Sequence, residues 1–336
     1  MLLEVHVGDL ARTLYLRRMT TAQHQTRAYL ALVAICIIWG TTYTAIKFAV
    51  RDFPPFLLVG IRQCSAGLLL LGLALYSGRI VLAPRSHAFE ALDTPPPAPA
   101  ANPLTQKYVL RQALTGLATI TGGNGFITWG MQYVSSGVAA IIGSLTPVVV
   151  LLISLFWKNS ERITGSMIAG VLLGFGGLGL IFSDGWQDFL KPEYRWGIAG
   201  CFASCCTWSL GTVMAKRWNS PQVSPLLNAG LQITSGGLGG MVLSLLFDKS
   251  YVIHHTAESW FSMIYLITIG SALAFTLYMY ALRHLSATVS SLYTYINPLV
   301  AILLGWLLLG ESLTAGIVAG MVVTITGVWL VNRGAS

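Results

Sequence analysis

Long apolar runs broken by short polar joints dominate the hydropathy pattern of this chain. Ten such runs lie near residues 29–50, 56–77, 109–131, 135–157, 164–182, 196–217, 226–247, 260–282, 286–309 and 314–332. Each reaches or approaches the ~20 residues that an α-helix needs to cross a bilayer. Strands of a membrane barrel would show about ten residues of alternating polarity, and these runs do not alternate. The pattern predicts an all-α polytopic membrane protein with ten transmembrane helices.

The runs repeat. Val138–Thr164 and Val289–Thr314 share small residues, a mid-span proline (Pro147, Pro298), an apolar run and a closing Glu-x-x-Thr. The prolines stand 151 residues apart, Trp39 and Lys47 precede Trp208 and Lys216 by 169, and Pro55 and Gly60 precede Pro225 and Gly230 by 170. The pattern predicts two copies of one unit, 29–182 and 196–332, with five spans in each. An odd number of spans forces the second copy to enter the membrane from the opposite side, giving inverted repeats. Residues 1–28 read as a polar, basic cytoplasmic segment, and Met19 is a second candidate start. Residues 78–108, with Asp93-Thr-Pro-Pro-Pro-Ala-Pro, read as a flexible cytoplasmic loop inside the first copy.

Composition agrees with the spans. Of 336 residues, 54% are hydrophobic and only 10% charged, against about 25% charged in an average soluble domain. The net charge of +8 would suggest nucleic acid in a soluble protein. Here the charge follows orientation: with the N-terminus inside, fourteen of the 20 basic residues face the cytoplasm, four face outward, and Lys47 and Arg62 lie within spans. That asymmetry sets both termini in the cytoplasm and removes nucleic acid as a partner.

The chemistry lies in the polar residues at depth. Trp39-Gly-Thr-Thr-Tyr-Thr in the first span holds Thr42 and Tyr43, which can line a cavity or, for threonine, bond the helix's own carbonyls. Trp39 and Trp208 sit about ten residues into their spans, too deep for an interfacial belt. Asn124 follows Thr121-Gly-Gly, a sequence without the Gly-Lys-Ser/Thr of a phosphate loop. Tyr293 and Asn297, four apart, share a helix face. Pro147 and Pro298 should break or kink their helices. Lys47 lies near the outer end of its span, where its stem can snorkel to the headgroups as an anchor. Arg62, two turns deep, reads as an anchor, a gate or a substrate contact; its counterpart in the second copy is Gln232.

No Asp or Glu falls well inside a span, so a buried carboxylate relay is missing. No nucleophile is paired with a base, His254 and His255 stand in an outer loop, and a Walker lysine is absent. The five cysteines lie in apolar spans without accompanying histidines and read as packing residues. An enzyme is therefore disfavoured, and no cofactor or metal site is expected. Gly170-x-x-x-Gly174 and Gly316-x-x-x-Gly320 recur at matched places in spans 5 and 10. That spacing brings helix backbones together and offers a face for a homodimer.

Trp-Gly-Thr-x-Tyr-x-x-x-Lys (39–47), Pro55 with Arg62, the two mid-span prolines and Gly-Glu-Ser-Leu-Thr (310–314) followed by Gly316, Gly320 and Gly327 resemble the EamA family of the drug/metabolite transporter superfamily. The resemblance covers nearly all of 29–332 outside the loop. It implies two inverted five-helix repeats around a central cavity, alternating access, and export of amino acids, their derivatives or other small metabolites across the inner (plasma) membrane. It places Trp39, Thr42, Tyr43, Asn124, Trp208, Tyr278, Tyr293 and Asn297 on that cavity as substrate-binding candidates. The alternatives are an exchanger or importer of nucleotide-sugar-like solutes and, further off, a polytopic membrane enzyme.

Overall fold

The computed structural model describes residues 2–77, 104–156, 164–184, 191–220, 222–248, 256–285, 287–291 and 293–335. Every regular element among them is helical. In chain order these are α1 (Leu2–Ala49), α2 (Pro55–Tyr76), α3 (Gln106–Gly116), a π-helical stretch (Leu117–Asn124) leading into α4 (Gly125–Gly130), α5 (Ser136–Gly143), α6 (Thr146–Phe156) and α7 (Gly165–Asp184). There follow α8 (Pro192–Trp218), α9 (Pro225–Phe247), α10 (Ala257–Tyr265), a second π-helical stretch (Leu266–Leu273) leading into α11 (Ala274–His284), α12 (Ala287–Ser290), α13 (Tyr293–Leu309) and α14 (Ala315–Ala335).

Among the described residues, six stretches are long and apolar enough to cross a membrane: Gln23–Ala49, Pro55–Tyr76, Ser136–Ser154, Pro192–Trp218, Pro225–Phe247 and Ala257–His284. Ile168–Gly177, Ile296–Leu309 and Ala315–Gly327 are shorter apolar helices. The first helix begins well before residue 29, and 2–28 continue it. Most of the expected loop, 78–103, lies outside the described residues, as does Glu161.

Local sequence explains the boundaries. Pro55, Pro192 and Pro225 each open a helix, where the missing N–H has no partner to lose. Thr105, Ser135, Ser224 and Thr256 each accept a backbone N–H from the first turn that follows, the usual work of an N-cap hydroxyl. Asp248 caps a helix other than its own, accepting from Leu57 N at 2.9 Å. Glu311 does the same for α5, accepting from Ser136 N at 2.9 Å and Ser136 Oγ at 2.6 Å. Acids absent from the spans are thus used at helix ends, where N-termini favour negative charge.

The matched proline segments differ. Between Gly143 and Thr146 the chain breaks from α5 to α6, and Pro147 sits in the first turn after the break. Pro298 instead lies inside α13, which runs through it, so the expected break at Pro298 is corrected. The interruption stands more than a turn earlier, at Ser291. Proline withholds one N–H and crowds the preceding turn, yet residues 293–297 ahead of Pro298 stay helical.

The helices pair by small residues. α2 packs along α9 and α7 along α14. At the second pair a Cβ on Gly327 would stand 2.6 Å from Gly174 N, so only glycine allows this approach. Gly170 and Gly174 thus face Gly327, and Gly320 faces Gly177, within one chain. Glycine is also required at Gly310, whose φ is 66°.

Candidate functional site

A cavity with polar and aromatic walls lies between α1, α2, the two π-helical stretches, α5–α6, α8 and α13. Its volume is about 90 Å³, well above the ~10–15 Å³ that one water requires on this measure. Seven of the eight expected substrate-binding residues line it: Trp39, Thr42, Tyr43, Asn124, Trp208, Tyr293 and Asn297.

Aromatic rings form one wall. Trp39 meets Tyr293 edge-on at 4.6 Å and Trp208 at 5.4 Å, the geometry that ring quadrupoles favour. The Trp39 indole N–H donates to Gly270 O at 3.1 Å, a carbonyl inside the second π-helical stretch. Ser204 Oγ donates in the same way to Gly123 O at 2.6 Å in the first stretch. Widened π turns thus supply carbonyls to side chains of other helices, a feature frequent at functional sites. Gly123 also admits Trp208: a Cβ there would stand 2.8 Å from the indole.

Tyr278 is placed differently from expectation. It is fully buried and does not line the cavity; it packs behind Trp39, Trp208 and Tyr293 and bonds Thr212 Oγ1 at 2.7 Å. Phe275, one turn earlier, takes the cavity position.

The other wall is polar. Arg62, only 3% exposed, donates through Nη2 to Asn124 Oδ1 at 2.7 Å. With its amide oriented to satisfy both ends, Gln63 accepts from Arg62 Nη2 at 3.0 Å and Nε at 3.2 Å and donates to Ser271 Oγ at 3.1 Å. Asn297, oriented likewise, donates to Tyr293 O at 3.0 Å and Cys36 O at 3.1 Å, tying α13 to α1. Thr42 Oγ1 donates to Trp39 O at 2.7 Å, so it bonds its own helix while lining the cavity.

Lys47 does not line the cavity. Its Nζ donates to Met131 O at 2.6 Å and Val134 O at 2.8 Å, at the end of α4. The matched Lys216 donates to Leu282 O at 2.7 Å and Leu285 O at 2.6 Å, at the end of α11. From 131 to 282 and from 134 to 285 the offset is 151 in both cases. Each ammonium thus caps carbonyls that a helix C-terminus leaves unpaired.

Sequence reasoning missed Gln63, Ser204, Cys205, Ser271 and Phe275 as lining residues. The signal of Ser204, Cys205 and Ser271 was weak, because small hydroxyl and thiol side chains on an apolar helix read as packing. Cys36, Cys201 and Cys205 are indeed buried free thiols, although Cys205 also reaches the cavity. Among the described residues no group of three or more metal-ligating side chains gathers.

A bundle with six helices long and apolar enough to cross a membrane thus encloses a cavity with aromatic and hydrogen-bonding walls. Comparison with known proteins gives its kind. The model of the EamA-like transporter family matches residues 26–183 and again 195–333, and the chain belongs to that family. It is similar to the inner membrane transporter YedA of Escherichia coli (strain K12), 29% identical over 304 residues that cover 88% of this chain and 89% of that protein. The transporter YvbV of Bacillus subtilis (strain 168) is 27% identical over 308 residues, covering 92% of each. A crystal structure at 18% identity has the same fold, with a TM-score of 0.63 over 92% of this chain and 98% of that one.

Proposed function

We propose that this transporter is a secondary exporter of small metabolites, such as amino acids or their derivatives, working by alternating access of the central cavity. The observation that carries the reading is the cavity itself, with Trp39, Trp208 and Tyr293 on one side and Asn124 and Arg62 on the other. In the proposal, aromatic rings hold the apolar part of the solute. Asn124, Asn297, Thr42 and Tyr43 meet its polar groups, Tyr278 supports the rings from behind, and Arg62 acts as gate or anchor. Lys47 is an anchor of the helix ends.

The proposed frame is ten spans in two inverted repeats, 29–182 and 196–332, with both termini cytoplasmic. The matched lysine caps, the two π-helical stretches and the N-cap threonines Thr105 and Thr256, again 151 apart, support it. Lys47 near one end of α1 and Lys216 near one end of α8 would then lie at opposite membrane faces. A homodimer would use the lipid-facing sides of α7 and α14, where Leu172, Phe175, Val322 and Trp329 are exposed, because their glycine faces already meet each other.

The test is export. Cells producing the intact protein, or a Tyr293→Ala, Asn297→Ala variant at equal membrane levels, are compared by the metabolites in their medium. A compound class that accumulates only with the intact protein supports the reading. Identical media would demote export in favour of uptake or exchange.

A further inference from the structure

Arg62 poses a problem that the fold does not require. A guanidinium at depth in a membrane protein is costly unless a counter-charge, carbonyls or water meet it. Its side chain is all but inaccessible, and among the described residues its partners are neutral: the amide oxygens of Asn124 and Gln63. They engage Nη2 and Nε, leaving Nη1 without a hydrogen-bond partner. Asp52, the acid nearest in sequence, accepts from Thr256 Oγ1, and Asp248 caps the start of α2.

The matched position in the second half shows that packing alone is content with a neutral side chain. There Gln232 is fully buried and donates to Gln112 Oε1 at 2.6 Å. One place in one architecture thus carries an amide in one half and an uncompensated cation in the other. Only the cation lies on the cavity wall.

We infer that Arg62, held by Asn124 and Gln63, is the anion-binding end of the substrate site, and that the transported solute carries a carboxylate joined to an apolar or aromatic body. The arrangement fits that shape of molecule. The unpartnered Nη1 offers a charge-assisted hydrogen bond to a carboxylate oxygen. Trp39, Trp208 and Phe275, on the same cavity, offer ring faces and edges to the body. Gln63 and Asn124 fix the guanidinium so that it need not reorient when the anion arrives. The inference rests on the transporter reading for the solute's passage but not for its binding.

The experiment uses the full-length protein in nanodiscs of phosphatidylcholine alone, so that no anionic headgroup can compete. Binding of 3-phenylpropionate, 3-phenylpropanamide and 3-phenylpropylamine is measured by calorimetry. These share one body and differ in charge. The carboxylate is expected to bind at least tenfold more tightly than the amide, with the amine weakest. Arg62→Gln should abolish the preference, and Arg62→Lys should retain part of it. Asn124→Asp guards against misfolding as an explanation, because it sets a fixed carboxylate beside Arg62. It should leave a folded protein, with unfolding temperature no lower than the parent, that has lost the carboxylate preference.

Equal binding of carboxylate and amide by the intact protein overturns the inference, as does no binding of the carboxylate or a preference that survives Arg62→Gln. Counterflow in liposomes separates the two readings. Arg62-dependent carboxylate binding without flux overturns transport and leaves the subsite. Flux of neutral solutes with no carboxylate preference overturns the subsite and leaves transport.

Discussion

The paired lysine caps allow a prediction with unequal magnitudes. Lys47 and Lys216 make the same two bonds to the same kind of helix end, at 2.6–2.8 Å. A hydrogen bond to a charged group contributes ~1.5–3 kcal/mol when shielded, so two could reach roughly 3–6 kcal/mol in full burial. Neither site is fully buried. Lys47 is half-buried, and Lys216 is exposed along its helix, where water readily replaces a lost ammonium. Discounting accordingly, Lys47→Met, which keeps the stem's length, should cost about 2–4 kcal/mol and Lys216→Met about 1 kcal/mol. The two sites share no partner, so the double variant should lose close to the sum. Unfolding of purified protein in detergent, followed by intrinsic fluorescence against denaturant, measures all three. Equal losses, or a larger loss at Lys216, would refute the argument that burial sets the strength of these caps. An unchanged Lys47→Met protein would refute the anchor itself.

Other substitutions probe other joints. Gly327→Leu should force α7 and α14 apart, because a Cβ alone would sit 2.6 Å from Gly174 N; overpacking of this kind costs ~1–3 kcal/mol or more, read as a lower unfolding midpoint. Glu311→Ala removes the cap of α5 and should cost about 1–2 kcal/mol, while Glu311→Gln, which can still accept from Ser136 N, should recover most of it in the same assay. Tyr278→Phe deletes the bond to Thr212 and should cost ~1 kcal/mol, with solute affinity unchanged in a binding titration because the ring lies behind the cavity wall. A large change in affinity would place Tyr278 in the site after all.

Much of the bundle was legible because lipid permits so few solutions. The apolar runs and opening prolines mark where helices lie. Trp39 and Trp208 stand out as tryptophans too deep for the headgroups, and both line the cavity. Finer placement was less legible. On an ordinary α-helix Phe275 and Tyr278 are near neighbours on one face, and hydropathy cannot decide which points inward. The π-helical stretch ending at Leu273 shifts the register just before them, and nothing in an apolar sequence announces a π turn. Likewise the ammonium of Lys47 was expected among headgroups. Its capture by Met131 and Val134 depends on where α4 ends, a tertiary fact. Pro298 shows that a proline marks strain nearby without fixing where the backbone yields.

The central claim is that one cavity serves both faces of the membrane. In a variant with all five native cysteines replaced, Thr42→Cys places a single thiol on the cavity wall. Labelling with a membrane-impermeant maleimide is then compared in right-side-out and inside-out vesicles. Alternating access predicts reaction from both sides, because the same position opens to each in turn. Reaction from one side only, under every solute condition, would contradict the account and leave a cavity that does not carry its solute across.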